Sequence, residues 1–396
     1  MHRYVRHTAI ALISGLLTAG TSFLISSCRG EDFIDRSTGQ GVTDGSLTGD
    51  VKGFFLLNEG NMGSNKATLD YFDYTTGTYT RNIFAERNPG VALELGDVGN
   101  DLGIYGSKLY AVINCSNLVE VMDVETARHI AEIPIPNCRY LAFNDGYAYI
   151  SSYAGAVEFD PEYRRGYVAK IDTATMQVVD TCGVGYQPEE MAVVSGRLYV
   201  TNSGGYMAPD YDSTVSVIDL ETFKVTNEIE VAPNLHQIKL GGDGMLYVSS
   251  RGDYYGQQSS TYIIDPSTDE VIQELPLLQN SDMTVYGDSL YVISHSWSNV
   301  TMDYSTGYAI FDTREGVTVT RNFVTDGTDS NLTTPYCIAV NPDNGDIFLT
   351  DAKDHVTPGM IHCYGQNGVL KWSAVTGDIP AHIVFTDKQL KPLDEI

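Results

Sequence analysis

Basic residues are scarce in this 396-residue chain: 24 Lys and Arg stand against 51 Asp and Glu, a formal charge of −27. Such an acidic surface repels a phosphate backbone, which excludes nucleic-acid binding through a basic patch. Cysteine is sparse too, six residues in all, too few for a scaffold held by disulfides. Little Lys or Ala, beside abundant Gly, Tyr, Thr and Val, favours strands and turns over helices. Motifs that announce common chemistry are missing as well: there is no nucleophile elbow, no His-Glu-x-x-His, no phosphate loop and no Cys-x-x-Cys pair. What is present is 42% hydrophobic and 10% aromatic residues, too apolar for disorder. The length allows two or three domains, or one long all-β domain.

Met1 to Ser27 reads as a leader and stands outside the fold. Arg3, Arg6 and two histidines make a positive start, and Thr8 to Ile25 is mostly apolar and uncharged. Leu24-Ile25-Ser26-Ser27-Cys28 resembles a bacterial lipoprotein cleavage box. Cys28 is therefore the expected lipidation site, and the mature chain is expected to hang from a membrane by acyl chains without spanning it. An ordinary signal peptide or short membrane anchor is the alternative. Residues 28–50 carry Gly30, Gly39, Gly41, Gly45 and Gly49 among Ser, Thr and Asp, and read as a flexible tether. Within it, Glu31-Asp32 resembles the acidic export signal that sends Bacteroidetes lipoproteins to the outer face of the outer membrane; the start of a polar linker is the plainer reading. Residues 51–396 remain as one folded domain.

That domain is built on one repeat. A first strand is followed by a tight turn and a Φ-Tyr-Val strand, as in Asn100-Asp101-Leu102-Gly103-Ile104 before Leu109-Tyr110-Ala111-Val112, or Glu189-Glu190-Met191-Ala192-Val193 before Leu198-Tyr199-Val200. The first-strand anchors Leu102, Leu141, Met191, Ile238, Met283, Ile338 and Ile383 lie 39 to 55 residues apart. Periods of that length with about four strands each predict a β-propeller. The last first strand, Ala381 to Phe385, has no second strand after it, and its partner is Phe54 to Leu57 at the other end. The expected fold is thus an all-β, seven-bladed propeller of four-stranded antiparallel blades, closed by strands from both termini so that no edge is left open. Third strands end in Asp73, Asp123, Asp172, Asp219, Asp265 and Asp312. Six aspartates in register could line a metal array, but hairpin-start aspartates accepting turn N–H bonds is the plainer account. Tyr110, Tyr149, Tyr199, Tyr247 and Tyr291, with Phe55 and Phe348, share one repeat position and are expected in the core.

In a propeller, loops fall alternately on two faces. The turns after first and third strands are short here, so the extra residues lie on the other face. Segments 152–166, 202–213, 251–260, 294–307 and 351–359 carry Tyr153, Tyr163, Tyr206, Tyr211, Tyr254, Tyr255, Trp297 and Tyr304 among small polar residues. Long aromatic loops on one face of a rigid scaffold point to binding. Connections reaching the channel mouth add Asn100, Asp101, Arg139, Tyr186, Glu189, Glu190, His236, Tyr336 and His382. Those groups could serve a hydrolase or hold a divalent metal, or be satisfied inner-strand polar residues. The candidate ligand-contacting set is Tyr153, Tyr186, Tyr206, Tyr211, Tyr254, Tyr255, His295, Trp297, Tyr304, Tyr336, Arg139, Asn114 and His236, with no catalytic residue and no metal assigned. Cys115 and Cys138 end neighbouring strands on this face, where a disulfide or two free thiols are both open to them. The five cysteines beyond Cys28 cannot all pair with one another.

Leu198-Tyr199-Val200-Thr201-Asn202-Ser203-Gly204 resembles the YVTN/YncE group of β-propeller repeat proteins, and the span from about Gly53 to Asp387 fits that repeat. Phe55-Leu56-Leu57-Asn58-Glu59-Gly60-Asn61, Asn100-Asp101-Leu102 and the tether resemble surface lipoproteins of gut Bacteroidetes, among them the BtuG-type proteins. That resemblance implies capture of vitamin B12 (cobalamin or another corrinoid) and its transfer to a TonB-dependent outer-membrane transporter of BtuB type. It implies a lipid-anchored, outward-facing outer-membrane location, no enzyme activity, and cobalamin as transported ligand with no cofactor. A surface that suits a corrin also suits an oligosaccharide. A glycan-binding or scaffold accessory of another uptake system is therefore the alternative, and a lactonase-like enzyme using Glu190 and His236 is a third.

Overall fold

The second strand of each repeat alternates large apolar side chains that point to opposite faces, so it is stable only when covered on both sides. In the computed structural model, which describes residues 37–47, 49–91, 94–156, 164–276 and 278–396, those strands lie inside seven antiparallel sheets. Blade 1 combines the C-terminal Pro380–Thr386 with Gly53–Asn58, Thr68–Asp73 and Thr78–Arg81. Blades 2 to 7 follow in chain order, each of four strands, and begin at Gly99–Tyr105, Cys138–Asn144, Pro188–Val194, Leu235–Leu240, Asp282–Tyr286 and Pro335–Val340. These first strands are the inner ones, and each packs beside the next around the ring. The seven-bladed propeller expected from the repeat is the fold.

The apolar core is divided accordingly. Phe55, Leu57 and Leu69 of blade 1 meet Leu102, Leu109 and Ala111 of blade 2 in one cluster, and Tyr199 and Val217 of blade 4 meet Leu235 and Val248 of blade 5 in another. Seven such clusters occupy the seven blade interfaces. Closure follows the predicted pairing: Phe54 opposes Phe385, Phe55 opposes Val384 and Leu56 opposes Ile383. Of the repeat tyrosines, Tyr110, Tyr149, Tyr199 and Tyr247 are buried and Tyr291 is half-buried.

One feature differs from the reading of the N-terminal stretch, and one alternative left open for the cysteines is decided. Thr38–Gly41, within the stretch read as flexible tether, is a fifth strand on blade 1, paired with Thr78–Arg81. The outer strand of any blade leaves a row of backbone groups unpaired, and this segment takes them up while Val42 packs on the cluster between blades 7 and 1. Cys115 and Cys138 are free thiols. The Cys138 thiol donates to the carbonyls of Ile113 (3.5 Å) and Leu118 (3.3 Å) inside the blade, away from Cys115. The lipidation site Cys28, the leader and Tyr163 lie outside the described residues.

The register aspartates build turns. Asp123 accepts the N–H groups of Glu125 (3.1 Å) and Thr126 (3.0 Å) and the Thr126 hydroxyl (2.9 Å), and its counterparts in five other blades each accept at least one N–H of their own turn. Asp123→Ala is expected to lower stability to urea by about 1 kcal/mol; unchanged unfolding would contradict the turn role. Neighbouring turns on the same face, such as Asp145-Gly146 and Ser195-Gly196, put both residues at positive φ, the geometry of two-residue hairpins, and keep that face short.

Candidate functional site

Because second strands end and first strands begin on the same face, long loops and inner-strand ends converge there around the channel. They enclose a cavity of about 550 Å³, within the roughly 300–1,000 Å³ range of small-molecule sites. Below it, on the far side of a belt of inner-strand side chains, is a second space of about 220 Å³. Tyr140, Gln237, Asp282 and His382 line both, so the belt stands between them.

The belt consists of the residues just before the repeat anchors. Asp101 accepts the N–H of Leu141 in the next blade (2.8 Å), Glu190 that of Ile238 (2.8 Å), the Gln237 amide oxygen that of Met283 (2.9 Å) and Asp282 that of Ile338 (2.6 Å). The carboxylates that sequence alone left open to catalysis thus stitch blade to blade. Burial pushes Asp101 up to about 7 and Asp282 up to about 6, although these N–H bonds oppose the shift. Burial, aided by Lys239 and Arg139, lowers His382 to about 3, so its imidazole is neutral.

Above the belt, the charged centre of the cavity floor is built on Glu189, whose side chain is 2% exposed. It pairs with Arg139 (3.1 Å) and Arg251 (3.3 Å) and accepts the Tyr153 hydroxyl (2.6 Å). Burial alone would raise its carboxyl, but the two guanidiniums outweigh that and hold it at about 2. His236 accepts or donates at Nε2 to the Tyr140 hydroxyl (2.8 Å), and burial with the nearby Arg251 charge keeps it neutral. On the blade 1 side, Glu59 accepts the Tyr336 hydroxyl (3.0 Å), and burial lifts its carboxyl to about 7.

One wall of the cavity is aromatic. The hairpin of blade 6, Ser289–Ser298 with Asp303–Asp312, is longer than its counterparts and extends over the face. On it, His295 stacks on Tyr304 (4.5 Å, 11°) and Trp297 meets Tyr304 edge-on (5.0 Å, 61°). Trp297 donates its indole N–H to Asn299 and His295 bonds Thr306 through Nδ1, which fixes the rings where they line the cavity. Tyr206, 53% exposed, and Tyr254 come from the loops of blades 4 and 5.

Nine residues of the predicted contact set line the cavity: Tyr206, Tyr254, His295, Trp297, Tyr304, Tyr336, Arg139, Asn114 and His236. Tyr255 borders a small adjoining groove with Trp297. Tyr153 is buried beneath the floor, where Arg139 lies over its ring (4.9 Å). Tyr186 ends the outer strand of blade 3 against Arg165 (5.8 Å), and Tyr211 sits near Tyr254; neither lines the cavity. Sequence reading passed over Arg251, Asn61, Met62 and His355. A signal for Arg251 was available: Tyr153, Ser203 and Arg251 each directly follow a second strand, and all three contact Glu189.

The raised carboxyls fix a pH dependence. A carboxyl whose folded pKa lies above its unfolded value stabilises the fold below the unfolded value and loses that contribution as pH rises through the folded one. Glu59, Asp101 and Asp282 place this loss between about pH 4 and 7. Glu189 acts oppositely, and only below about pH 4.5. The melting temperature is therefore expected to be several degrees higher at pH 5 than at pH 8, and Asp101→Asn, which keeps the oxygen facing Leu141, should narrow the difference. A melting temperature rising steadily from pH 5 to pH 8 would contradict this.

A family model described as a domain of unknown function, DUF5074, matches residues 52–385. Among curated proteins there is no match. Among solved structures, a quinoprotein alcohol dehydrogenase-like protein from Bacteroides thetaiotaomicron is similar with a TM-score of 0.59 at 15% identity, over 85% of this chain and 78% of that one. Hydrazine synthase from Kuenenia stuttgartiensis is similar with a TM-score of 0.55 at 17% identity, over 67% and 76%. The WD40 domain of Neurospora crassa Pan2 follows with 0.51 at 11%, over 72% and 81%. At these identities the likeness is one of fold.

Proposed function

We propose that this chain, a member of the DUF5074 family, is a binding protein that captures a corrinoid of the vitamin B12 type in the cavity of its long-loop face. The observation that carries the reading is the cavity's division of labour. An aromatic wall of Trp297, Tyr304 and His295 stands over a floor of amide and guanidinium groups from Asn61, Asn114, Gln237, Asn280, Arg139 and Arg251. A corrin needs both, because its faces are broad and apolar while its rim is set with amides. Its resemblance to BtuG-type lipoproteins points the same way and supplies the setting: lipidation at Cys28, a place on the outer face of the outer membrane, and delivery to a TonB-dependent transporter of BtuB type.

Enzyme activity is not part of this reading. The belt carboxylates that might have acted as acid and base are committed to backbone N–H groups, and His236 is tied to Tyr140. A titration of the purified chain with cyanocobalamin tests the proposal. Saturable binding at one ligand per chain is expected; no binding at micromolar protein, or binding of an oligosaccharide instead, would overturn it.

A further inference from the structure

We infer that Arg139 and Arg251 form a receptor for a monoanionic phosphodiester, so that the site selects corrinoids carrying the nucleotide loop over those that lack it. This deepens the corrinoid reading and rests on it. In a chain with a formal charge of −27, two guanidiniums line the cavity. The carboxylate they share, Glu189, is 2% exposed and does not line it. A ligand therefore meets two cations, with their single counter-charge shielded behind them.

Two carboxyls, Glu59 and Asp282, also line the cavity. Burial keeps Glu59 partly protonated at neutral pH. Asp282 accepts from Gln237 and the Ile338 N–H within the belt, and the nearby Lys239 is paired with Glu190. The imidazoles of His236 and His382 are neutral, so they add no charge of either sign.

Hydrogen-bonding capacity tells the same story. A guanidinium carries five N–H donors. Among the described residues, Arg139 and Arg251 each donate one hydrogen bond, both to Glu189. The Nε of Arg139 is buried and has no partner. That nitrogen is closed to the cavity, so the donors open to an acceptor oxygen are the remaining N–H groups of the two guanidiniums, whose side chains are 16% and 27% exposed. Amides along a corrin rim are neutral and are met by the Asn and Gln side chains of the floor. The phosphodiester of the nucleotide loop is the one permanently anionic group of that ligand, its charge balanced by the cobalt–corrin centre. Its two non-bridging oxygens match paired guanidinium donors.

Parallel titrations of the full chain with cyanocobalamin and with dicyanocobinamide, which lacks the nucleotide loop and its phosphodiester, test the inference. Cobinamide is expected to bind roughly 10- to 100-fold more weakly. Arg251→Gln should close most of that gap by weakening cobalamin far more than cobinamide, and Arg251→Lys should recover part of it. Equal wild-type affinities, or an Arg251→Gln that weakens both ligands alike, would overturn the phosphodiester receptor while leaving corrinoid capture standing. Failure of both ligands to bind would overturn both. The wild-type comparison needs no variant, so a misfolded Arg251→Gln leaves the test intact.

Discussion

Replacing Glu189 by leucine is expected to destabilise the propeller by about 3–5 kcal/mol and to abolish capture of the ligand. The pair of guanidiniums it holds would be left facing each other in a half-enclosed site without their counter-charge, and the Tyr153 hydroxyl would lose its acceptor at 2.6 Å. Removing one member of an enclosed ion cluster costs more than the cluster contributes as a whole, because the partners stay buried and charged. Glu189 links the inner strand of blade 4 to Arg139 in blade 3 and Arg251 in blade 5, so the damage should reach three blades. Glu189→Gln keeps the side-chain volume and one acceptor, and is expected to fall between wild type and the leucine variant. Chemical denaturation checks the order; a leucine variant as stable as wild type would show that the cluster is not what organises the floor.

The second large effect concerns the aromatic wall. Trp297→Ala combined with Tyr304→Ala is expected to weaken cyanocobalamin binding roughly 100-fold or more, since buried aromatic anchors dominate binding energy. The fold should hardly notice. Both residues stand on the outer part of the blade 6 hairpin, opposite each other across it, and belong to none of the seven interface clusters. Melting temperature unchanged and affinity lost is therefore the expected signature. Tyr186→Ala and Tyr211→Ala, by contrast, should bind as wild type does, because the cavity does not include them. Loss of affinity in those two, with none in the wall variants, would place the ligand elsewhere.

That contrast marks where sequence stopped being informative. The repeat positions were legible because one physical demand recurs seven times: an inner anchor such as Met191 and a doubly covered strand such as Leu198 to Val200 must appear in every blade. Closure was legible for the same reason, through the unpaired halves at Phe54 to Leu57 and Ala381 to Phe385. Within the site, loop position identified Trp297 and Tyr304 but could not tell a ring that faces the cavity from one that supports it. Tyr153 and Tyr206 come from neighbouring blades and touch at 6.2 Å, yet one is buried under Arg139 and the other is half exposed. That outcome depends on Glu189, which draws the Tyr153 hydroxyl inward. Arg251 was overlooked because a basic residue after a strand reads as solvated surface until its partner in another blade is known. Strand Thr38–Gly41 was hidden in a Gly-rich, polar stretch, since pairing to an edge requires backbone rather than side chains.

The acidity of the sequence takes a different meaning in the folded chain. Part of it is turn chemistry at Asp123 and its counterparts, and part is belt stitching at Asp101, Glu190 and Asp282. Neither set forms a binding surface. Around the cavity two guanidiniums reach the ligand space while the carboxylate they share is withdrawn.

The most direct test of the account is a crystal structure of the chain with cyanocobalamin. The account predicts the corrin in the long-loop cavity, one face against Trp297 and Tyr304 and its rim amides reaching the floor between Asn114 and Arg251. Corrin density on the short-turn face, or along the outer edges of the blades, would contradict it.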